Sequence, residues 1–375
     1  MKTALLHYWL TNMRGGENVL LEFCKMFPQA DIFTHACNPP MVDAGFQKHK
    51  ITETFIASLP GARKNCQKYL PLMPAALKKL QLQDYDFLLS SESGPAKGVR
   101  KNPDAFHVCY CHTPMRYLWD MYDEYWKNGS LAAKAAMTIF KHPLRKYDLK
   151  SAECVSLFIA NSNFVAQRIK RIYGRDSVVV HPPVDTDYFC DVPAGVPKGG
   201  YYLLAGALIK YKRPDLAVQA CMKMKRKIVV SGGGEMLKYL QGIADENVIF
   251  AGQPPKDELR KLYAGADALL FPGCEDFGIV PLEAQATGTP VIAYGEGGAL
   301  ETVKAGCSGI FFKEQSVEAL CNAIEEFEAM SFDPAPIMEH ARTFSNAAFR
   351  AKMLNVLKSN APAALRDSFD AVDIG

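Results

Sequence analysis

Residues 274–284 read Cys-Glu-Asp-Phe-Gly-Ile-Val-Pro-Leu-Glu-Ala, and the fold can be inferred outward from this stretch. The apolar run Ala268–Phe271 precedes it and ends at a Pro-Gly turn, which predicts a short buried strand. Pro281 suits the first turn of a helix, where a missing N–H costs nothing, and Gly288 predicts the end of that helix. Residues 290–293 then open another strand. Strand, loop, helix and strand in this order indicate a parallel α/β sheet, in which ligands bind at the carboxyl ends of the strands.

Two carboxylates bracket the predicted loop. Glu275 lies in the loop and Glu283 in the first helical turn, so both can face one pocket. Free backbone amides suited to an anion such as a diphosphate are expected at the helix N-terminus, at Phe277, Gly278, Ile279 and Val280. Gly278 lets a ligand approach the backbone, and a carboxylate can accept two hydroxyls of a ribose or sugar. The alternative role of Glu283 is to complement the helix dipole, worth roughly a few tenths of a kcal/mol.

Length and composition restrict the class of protein. The chain has 375 residues, more than one hydrophobic core usually serves, which favours two domains. It is 49% hydrophobic and 22% charged with a net charge of +3, so we expect no nucleic-acid partner. No apolar run reaches about 18 residues, and the first residues lack a cleavage-site pattern. We therefore expect neither a membrane-spanning helix nor a signal peptide.

Cysteine usage and acidic residues indicate neither a disulfide framework nor a metal site. The eleven cysteines are odd in number and include no C-x-x-C pair, which is typical of reduced thiols in a cytoplasmic protein. Asp185-Thr-Asp187 has the D-x-D form of a metal motif, but it lies close to a predicted linker rather than in a ligand-facing loop. We therefore expect no metal and no cofactor.

Two loops of the first half also follow predicted strands. After a strand at residues 3–9, Gly15 and Gly16 lie in a turn that leads into helical spacing from Val19. This geometry brings backbone close to a phosphate, although G-x-G-x-x-G is absent and a simple tight turn is an equal alternative. A second loop follows the predicted strand 86–90.

His112 is expected at the carboxyl end of a third strand in this half. Residues 107–111 have strand character, and Pro114 breaks the run. A lone histidine is more often structural than catalytic, and its position beside two other loops favours a functional role here. Arg116 follows within the same run, which ends at Trp119-Asp120.

The second half repeats the pattern after a Pro- and Gly-rich stretch at 191–200, interpreted as a linker. Its strands are predicted at residues 201–205, 227–230, 248–251, 268–271, 290–293 and 309–312. Helices are predicted along the chain at residues 132–151, 164–173, 257–265, 317–330 and 347–358. The tail after Ser359 is predicted to be loosely ordered.

A basic segment extends from Gly61 to Leu80 and contains no acidic residue. Cationic and apolar side chains alternate between Arg63 and Lys79, which suits docking on an anionic membrane surface. The alternative is a solvated face whose cationic side chains pack their aliphatic stems on the core.

Together these motifs resemble the retaining, nucleotide-sugar-dependent glycosyltransferases of the GT-B fold, family 4 type. Glu275 and Glu283 stand in that family's E-x7-E relation, and the runs 288–293 and 297–303 extend the likeness over nearly the whole chain. The resemblance implies an α/β fold of two Rossmann-like, doubly wound domains that face each other across a deep cleft. The acceptor-side domain would comprise 1–190, with a C-terminal helix in 346–375 packing back on it. The nucleotide-sugar domain would comprise 191–345.

The resemblance also implies roles for individual residues. The run around His112 resembles that of bacterial mannosyltransferases of surface-polysaccharide (O-antigen or exopolysaccharide) assembly, which implies that His112 contacts the donor sugar near the reacting carbon. Arg116 would line the cleft, and Gly15 and Gly16 would face the donor diphosphate and the acceptor. Glu275 would act on the transferred sugar as the second catalytic residue.

Two cations hold the donor diphosphate in the family, and this chain departs from that pattern. It keeps Lys212, followed by Arg213, but has Ala207 where the family has an arginine. Either Lys210 or Arg213 then supplies the missing charge, or the affinity for the donor is low. The amides of residues 277–280 and the carboxylate of Glu283 would complete the nucleotide site.

We therefore expect a metal-independent enzyme that moves mannose from GDP-mannose to a saccharide or polyprenyl-diphosphate-linked acceptor. It would work in the cytoplasm, with peripheral contact to an anionic membrane on the inner face of the cell membrane. Alternatives are the same fold using a UDP-sugar such as UDP-glucose, a sugar-nucleotide epimerase of the GT-B architecture, and a non-catalytic nucleotide-sugar-binding subunit.

Overall fold

The computed structural model describes residues 1–374 and divides the chain into two compact units. The first unit comprises Met1–Pro182 together with the chain from Phe349 onward, and the second comprises Pro183–Ala348. The stretch 191–200, interpreted above as a linker, lies within the second unit. The division falls earlier because Phe189, just before that stretch, is buried against Tyr263 of the second unit, with ring centroids 5.8 Å apart.

The first unit is built on a seven-stranded sheet in the order β3-β2-β1-β4-β5-β6-β7. The strands are β1 (Thr3–His7), β2 (Asp31–Thr34), β3 (Ile51–Glu53), β4 (Phe87–Glu92), β5 (Phe106–Cys111), β6 (Leu157–Ala160) and β7 (Ser177–Val179). Its first helices are α1 (Gly15–Met26), α2 (Ala62–Asn65), α3 (Met73–Leu77), α4 (Tyr122–Asn128), α5 (Leu131–Glu153) and α6 (Asn163–Tyr173). All its strand pairs are parallel, which confirms the predicted sheet type.

The second unit is built on a six-stranded parallel sheet in the order β10-β9-β8-β11-β12-β13. The strands are β8 (Tyr202–Ala205), β9 (Ile228–Ser231), β10 (Val248–Gly252), β11 (Ala268–Phe271), β12 (Val291–Tyr294) and β13 (Gly309–Phe312). The helices are α7 (Thr186–Cys190), α8 (Pro214–Met224), α9 (Leu237–Ile243), α10 (Lys256–Gly265), α11 (Ile279–Ala286), α12 (Ala299–Thr302), α13 (Val317–Glu328) and α14 (Pro334–Arg342). Two Rossmann-like parallel sheets confirm the predicted α/β class.

The tail prediction was wrong. After α15 (Asn346–Asn360), residues beyond Ser359 continue into an ordered helix, α16 (Ala363–Asp370). Phe369 in α16 is fully buried and packs edge-on against Phe87, with ring centroids 5.1 Å apart. Composition did not predict this helix, because the run is polar and rich in alanine. Burying a phenylalanine side chain nevertheless contributes about 1.5–3 kcal/mol to stability. The helix is therefore held on the core of the first unit.

The basic segment of residues 61–80 packs its apolar side chains inward. Ala62, Met73 and Leu77 are buried, and only Leu72, with 44% exposure, is among its exposed large apolar residues. The guanidinium of Arg63 donates to both carboxylate oxygens of Glu53, at 2.7 Å each. The segment thus has the character of a solvated face over a packed interior.

Large exposed apolar side chains are instead concentrated on α4 and α5. Leu131, Ile139 and Phe140 are 86%, 66% and 38% exposed, and Tyr125 and Trp126 of α4 are 45% and 38% exposed. The second half of α5 exposes the basic side chains of His142, Lys146 and Lys150. Among residues 1–374, no helix has both the length and the apolar character that crossing a membrane requires.

Candidate functional site

Each sheet has one point where the strand order reverses. In the first unit the chain moves from β1 outward to β3 and then returns to β4 on the other side of β1. In the second unit the corresponding neighbours are β8 and β11. Ligands of open α/β sheets bind outside the carboxyl ends of the strands at such a switch point. The loops singled out in the sequence follow β1, β8 and β11, and His112 follows β5.

In the second unit the structure brings Lys212 and Glu275 together. Nζ of Lys212 lies 2.8 Å from Oε1 of Glu275, and the two side chains are 18% and 19% exposed. The loops that carry them touch closely, since a Cβ on Gly273 would lie 2.7 Å from Cα of Lys212. The predicted cation for the diphosphate and the predicted catalytic carboxylate therefore form one ion pair between the loops after β8 and β11.

Helix α11 begins beside this ion pair. Gly278 has φ +103, a conformation that L side chains rarely adopt, and it turns the chain into α11 at Ile279. Ile279 and Val280 are the first helical residues, so no earlier helical turn accepts their N–H groups. The backbone N–H of Gly298 donates to the carbonyl of Glu275 at 2.8 Å and fastens this loop to the loop after β12. Phe277, in the same loop as Glu275, is buried. This arrangement suits the predicted anion site.

The side chain of Arg213 is committed to a neighbouring carboxylate. Its Nε and Nη2 donate to Asp215 at 3.1 and 3.0 Å, and Nη1 lies 3.5 Å from the carbonyl of Gln315. Arg213 has φ +51 immediately before Pro214, the first residue of α8. The backbone N–H of Lys210 donates to Glu235 at 3.3 Å. Of the predicted cations, Lys212 is the one whose ion pair with Glu275 is described above.

Glu283 has a partner that the sequence did not indicate. The hydroxyl of Tyr263 donates to Oε2 of Glu283 at 2.8 Å, and Tyr263 is 1% exposed. Burial raises the pKa of the Glu283 carboxyl, against the lowering effect of this hydrogen bond and of the charge of Lys256. Tyr263 precedes Glu283 by a strand and a loop, so no local motif links them. The hydrogen bond from the tyrosine fixes the orientation of the carboxylate.

In the first unit, Gly16 and His112 lie side by side. A Cβ on Gly16 would lie 2.8 Å from the Tyr8 hydroxyl and 3.4 Å from Nε2 of His112. Gly15 is the first residue of α1 and Gly16 the second. Because Gly16 has no Cβ, α1 can pack closely on these two side chains. Burial raises the pKa of Tyr8, and the charges of Arg14 and Arg116 oppose that rise.

His112 is anchored by Ser91, which sequence reasoning missed. Nε2 of His112 lies 2.8 Å from Oγ of Ser91, and the backbone N–H of His112 donates to the carbonyl of Glu92. Burial lowers the pKa of His112 to about 3, so the imidazole is neutral near pH 7. His7 and Ser91 lie behind His112, and strand register is the signal that could have found them, because they pair across β1 and β4. Glu17 belongs to α1, and only the packing of that helix brings it to His7.

The structure gives no support for a metal-binding cluster. Within the described part of the chain, no group of three His, Cys, Asp or Glu side chains is close enough to hold a metal ion. Asp185, from the D-x-D run, is paired with Lys256, whose Nζ lies 2.5 Å from Oδ2. All eleven cysteines are free thiols.

The two units match two glycosyltransferase family models. Residues 13–188 match the model described as Glycosyltransferase Family 4, and residues 194–350 match the model described as Glycosyl transferases group 1. A solved structure of the Anabaena protein HepE, in complex with UDP and glucose, superposes with a TM-score of 0.69. That superposition covers 96% of this chain and 100% of the other at 18% identity, which supports the fold. The chain belongs to the glycosyltransferases of the GT-B fold.

Curated relatives are similar over part of their length. A D-inositol 3-phosphate glycosyltransferase of Mycobacterium sp. (strain KMS) is 30% identical over 214 residues, 50% of this chain and 48% of the relative. A GDP-mannose-dependent alpha-(1-6)-phosphatidylinositol monomannoside mannosyltransferase of Mycolicibacterium smegmatis is 29% identical over 197 residues, 45% of this chain and 52% of the relative. The chain thus spans about half the length of these relatives.

Glu283 and Tyr263 are expected to act together on a bound nucleotide. Glu283→Ala should weaken binding of a nucleoside diphosphate by about 1.5–3 kcal/mol, the range for hydrogen bonds to a charged group. Tyr263→Phe removes only the orienting hydroxyl and should cost about 0.5–1.5 kcal/mol. Calorimetric titration measures both. Tyr202→Phe is the matched control, since that hydroxyl donates to Glu328 at 3.0 Å. Unchanged nucleotide affinity in a folded Glu283→Ala variant would remove Glu283 from the site.

Proposed function

We propose that this chain is a retaining glycosyltransferase that moves mannose from GDP-mannose to a saccharide or polyprenyl-diphosphate-linked acceptor of bacterial surface-polysaccharide assembly. The observation that carries the proposal is the Lys212–Glu275 ion pair beside the N-terminus of α11, at the switch point between β8 and β11. A single lysine and a set of backbone amides suit a leaving diphosphate, and the adjacent carboxylate suits the hydroxyls of a sugar.

The chemistry requires stabilised charge on the leaving group. As the bond from the anomeric carbon to the diphosphate breaks, negative charge grows on the phosphate oxygens, and preorganised cations and amides lower the barrier. Lys212 and the amides at the start of α11 take this role in our proposal, and no metal ion takes part. Glu275 and His112 act on the transferred sugar. No separate nucleophile is assigned, so retention would follow from displacement on the front face of the sugar.

Three observations bear on the donor. A relative similar over about half its length is named as a GDP-mannose-dependent mannosyltransferase, and the His112 run resembles bacterial mannosyltransferases. The second candidate, UDP-glucose, is favoured by the structural likeness to a protein solved with UDP and glucose. The eleven free thiols support a reducing compartment, so we place the reaction in the cytoplasm.

Lys212→Ala tests how the negative charge of the leaving diphosphate is stabilised. We expect it to cost about 2–4 kcal/mol of transition-state stabilisation, the loss seen for one preorganised donor. Transfer from GDP-mannose and from UDP-glucose is followed with and without EDTA, and the anomeric configuration of the product is read by NMR. Activity should survive EDTA. Lys223→Ala is the matched control, because Lys223 is also paired, 3.0 Å from Glu318, but lies in the last turn of α8.

Three outcomes of that experiment would count against the proposal. Activity lost in EDTA and restored by Mg²⁺, with a near-normal Lys212→Ala enzyme, would refute the metal-free account. An inverted product would refute retention. Isomerised free sugar nucleotide without transfer would support the epimerase alternative instead.

We further propose that the exposed face of α4 and α5 contacts an anionic membrane. Ile139 and Phe140 are exposed, and His142, Lys146 and Lys150 follow on the exposed side of α5. Apolar side chains that enter the headgroup region, combined with nearby cations, are what binds a helix to an anionic interface. The segment 61–80, the earlier candidate, lacks such a cluster of exposed apolar residues.

Co-sedimentation with vesicles tests this surface. Binding should require anionic lipid and fall with salt, since the Debye length shortens. Ile139→Asp should reduce recovery severalfold, because it puts a charge among the apolar side chains. Leu72→Asp is the matched control from the 61–80 segment, where Leu72 is 44% exposed. Equal recovery on neutral and anionic vesicles would contradict membrane contact. A larger loss of recovery from Leu72→Asp than from Ile139→Asp would assign the contact to residues 61–80 instead.

A further inference from the structure

Four polar groups form one line in the first unit, from the start of α1 to the end of β5. Glu17 is 1% exposed, and its Oε1 lies 3.7 Å from Nε2 of His7. Nδ1 of His7 lies 3.2 Å from Oγ of Ser91, and the same oxygen lies 2.8 Å from Nε2 of His112. Parallel register produces the line, since His7 and Ser91 are paired residues of β1 and β4.

The carboxylate at one end decides where the hydrogens lie. Nε2 of His7 faces Glu17 and has no hydrogen-bond partner, and 3.7 Å is too long for a hydrogen bond, so the interaction is electrostatic. A lone pair facing a buried negative charge is repelled and an N–H is attracted, so of the two neutral tautomers of His7 the one with its hydrogen on Nε2 is favoured. The Nδ1 of His7 then has the lone pair.

The remaining hydrogens follow from that choice. The Ser91 hydroxyl has one hydrogen, and it is donated to Nδ1 of His7. Oγ of Ser91 can then only accept from His112, so Nε2 of His112 has to donate. Among residues 1–374, this is the one hydrogen bond of the His112 ring, and its Nδ1 is left for a ligand.

We propose that Glu17, His7 and Ser91 are positioning residues that hold neutral His112 with its hydrogen on Nε2, so that Nδ1 accepts a hydrogen bond from a hydroxyl of the transferred sugar. The sugar contact rests on the proposed function, whereas the choice of tautomer rests on the geometry alone. His112 thereby acts as an acceptor and not as an acid. The lowering of its pKa by burial supports this state.

Nitrogen-15 NMR of the full, unliganded chain labelled at histidine tests the tautomer directly. At pH 8, above the ordinary titration range of imidazole, His112 should show a pyrrole-type Nε2 and a pyridine-type Nδ1. The signals are assigned by comparison with His112→Gln and His7→Gln. A hydrogen on Nδ1 of His112 would overturn the proposal, whatever the enzyme does.

Variants test the positioning role. Ser91→Ala should shift His112 towards a mixture of tautomers, and Ser91→Thr, which keeps a hydroxyl, should restore the wild-type signals. Ser90→Ala is the matched control on the same strand, because the Ser90 hydroxyl lies 3.0 Å from Nε2 of His107. Glu17→Gln should shift the His7 tautomer and, through Ser91, that of His112. An unchanged His112 tautomer in Ser91→Ala would overturn the role of the serine.

An activity arm tests the contact with the sugar. Ser91→Ala should lower kcat by about tenfold, the worth of roughly one hydrogen bond, while the Kd for GDP stays unchanged. Donor analogues are compared in which one sugar hydroxyl is replaced by hydrogen or by fluorine. At the position that contacts His112, both replacements should slow transfer by the wild-type enzyme. The same replacements should have a smaller effect in His112→Ala. Equal effects in both enzymes at every position would overturn the contact. No turnover of any donor by wild type would instead contradict the proposed function and leave the tautomer result standing.

Discussion

Every strand of both sheets is parallel to its neighbours, and this constraint gathers the chemistry of each unit at one edge. The carboxyl ends of parallel strands meet on the same side, so loops that are far apart in sequence lie together there. In the second unit this brings Lys212 beside Glu275. In the first unit it brings His7 beside Ser91 and, one strand further, His112. Strand order thus determines which of the candidate site residues lie together.

Charge in the second unit is arranged as pairs. Glu275 forms an ion pair with Lys212, and Asp215 forms one with Arg213, so neither cation is an isolated charge. In the proposed function, an incoming diphosphate competes with Glu275 for Lys212, and the amides at the start of α11 offset the loss of that ion pair. The same competition would free the Glu275 carboxylate for the hydroxyls of a sugar. The ion pair fixes the position of both side chains in the absence of ligand.

Elements with strong local signals could be predicted from the sequence. The strand at Ala268–Phe271 and the helix after Gly278 lie where the Pro-Gly turn and Pro281 indicate. The strands β2 and β3 were missed, because four and three residues are too few to show a period and no Pro-Gly turn directly follows them, as one follows β11. The helix around Phe369 was missed because the contacts that hold it are tertiary, among them the packing of Phe369 in the core of the first unit.

Individual site residues could be predicted where a motif surrounds them, and their partners could not. Glu283 stands in a recognisable run, whereas Tyr263 contacts it through the sheet and has no fixed spacing from it. His112 marks a strand end, but Ser91 can be found only when the register of β1, β4 and β5 is known, and Glu17 only when α1 is packed against His7. Local sequence therefore predicts the groups that we propose to meet a ligand, and tertiary structure is needed to find the groups that orient them.

The central claim is that the second unit holds a nucleoside diphosphate at the carboxyl ends of β8 and β11, and thermal stability in the presence of nucleotides tests it most directly. A ligand that binds the folded state stabilises it by RT ln(1 + [L]/Kd), about 2.7 kcal/mol at a concentration of 100 Kd. The account predicts that GDP raises Tm more than UDP or ADP at equal concentration, without added metal, and that Lys212→Ala reduces the rise. Unchanged Tm with all three nucleotides, or a rise that Lys212→Ala leaves intact, would contradict it.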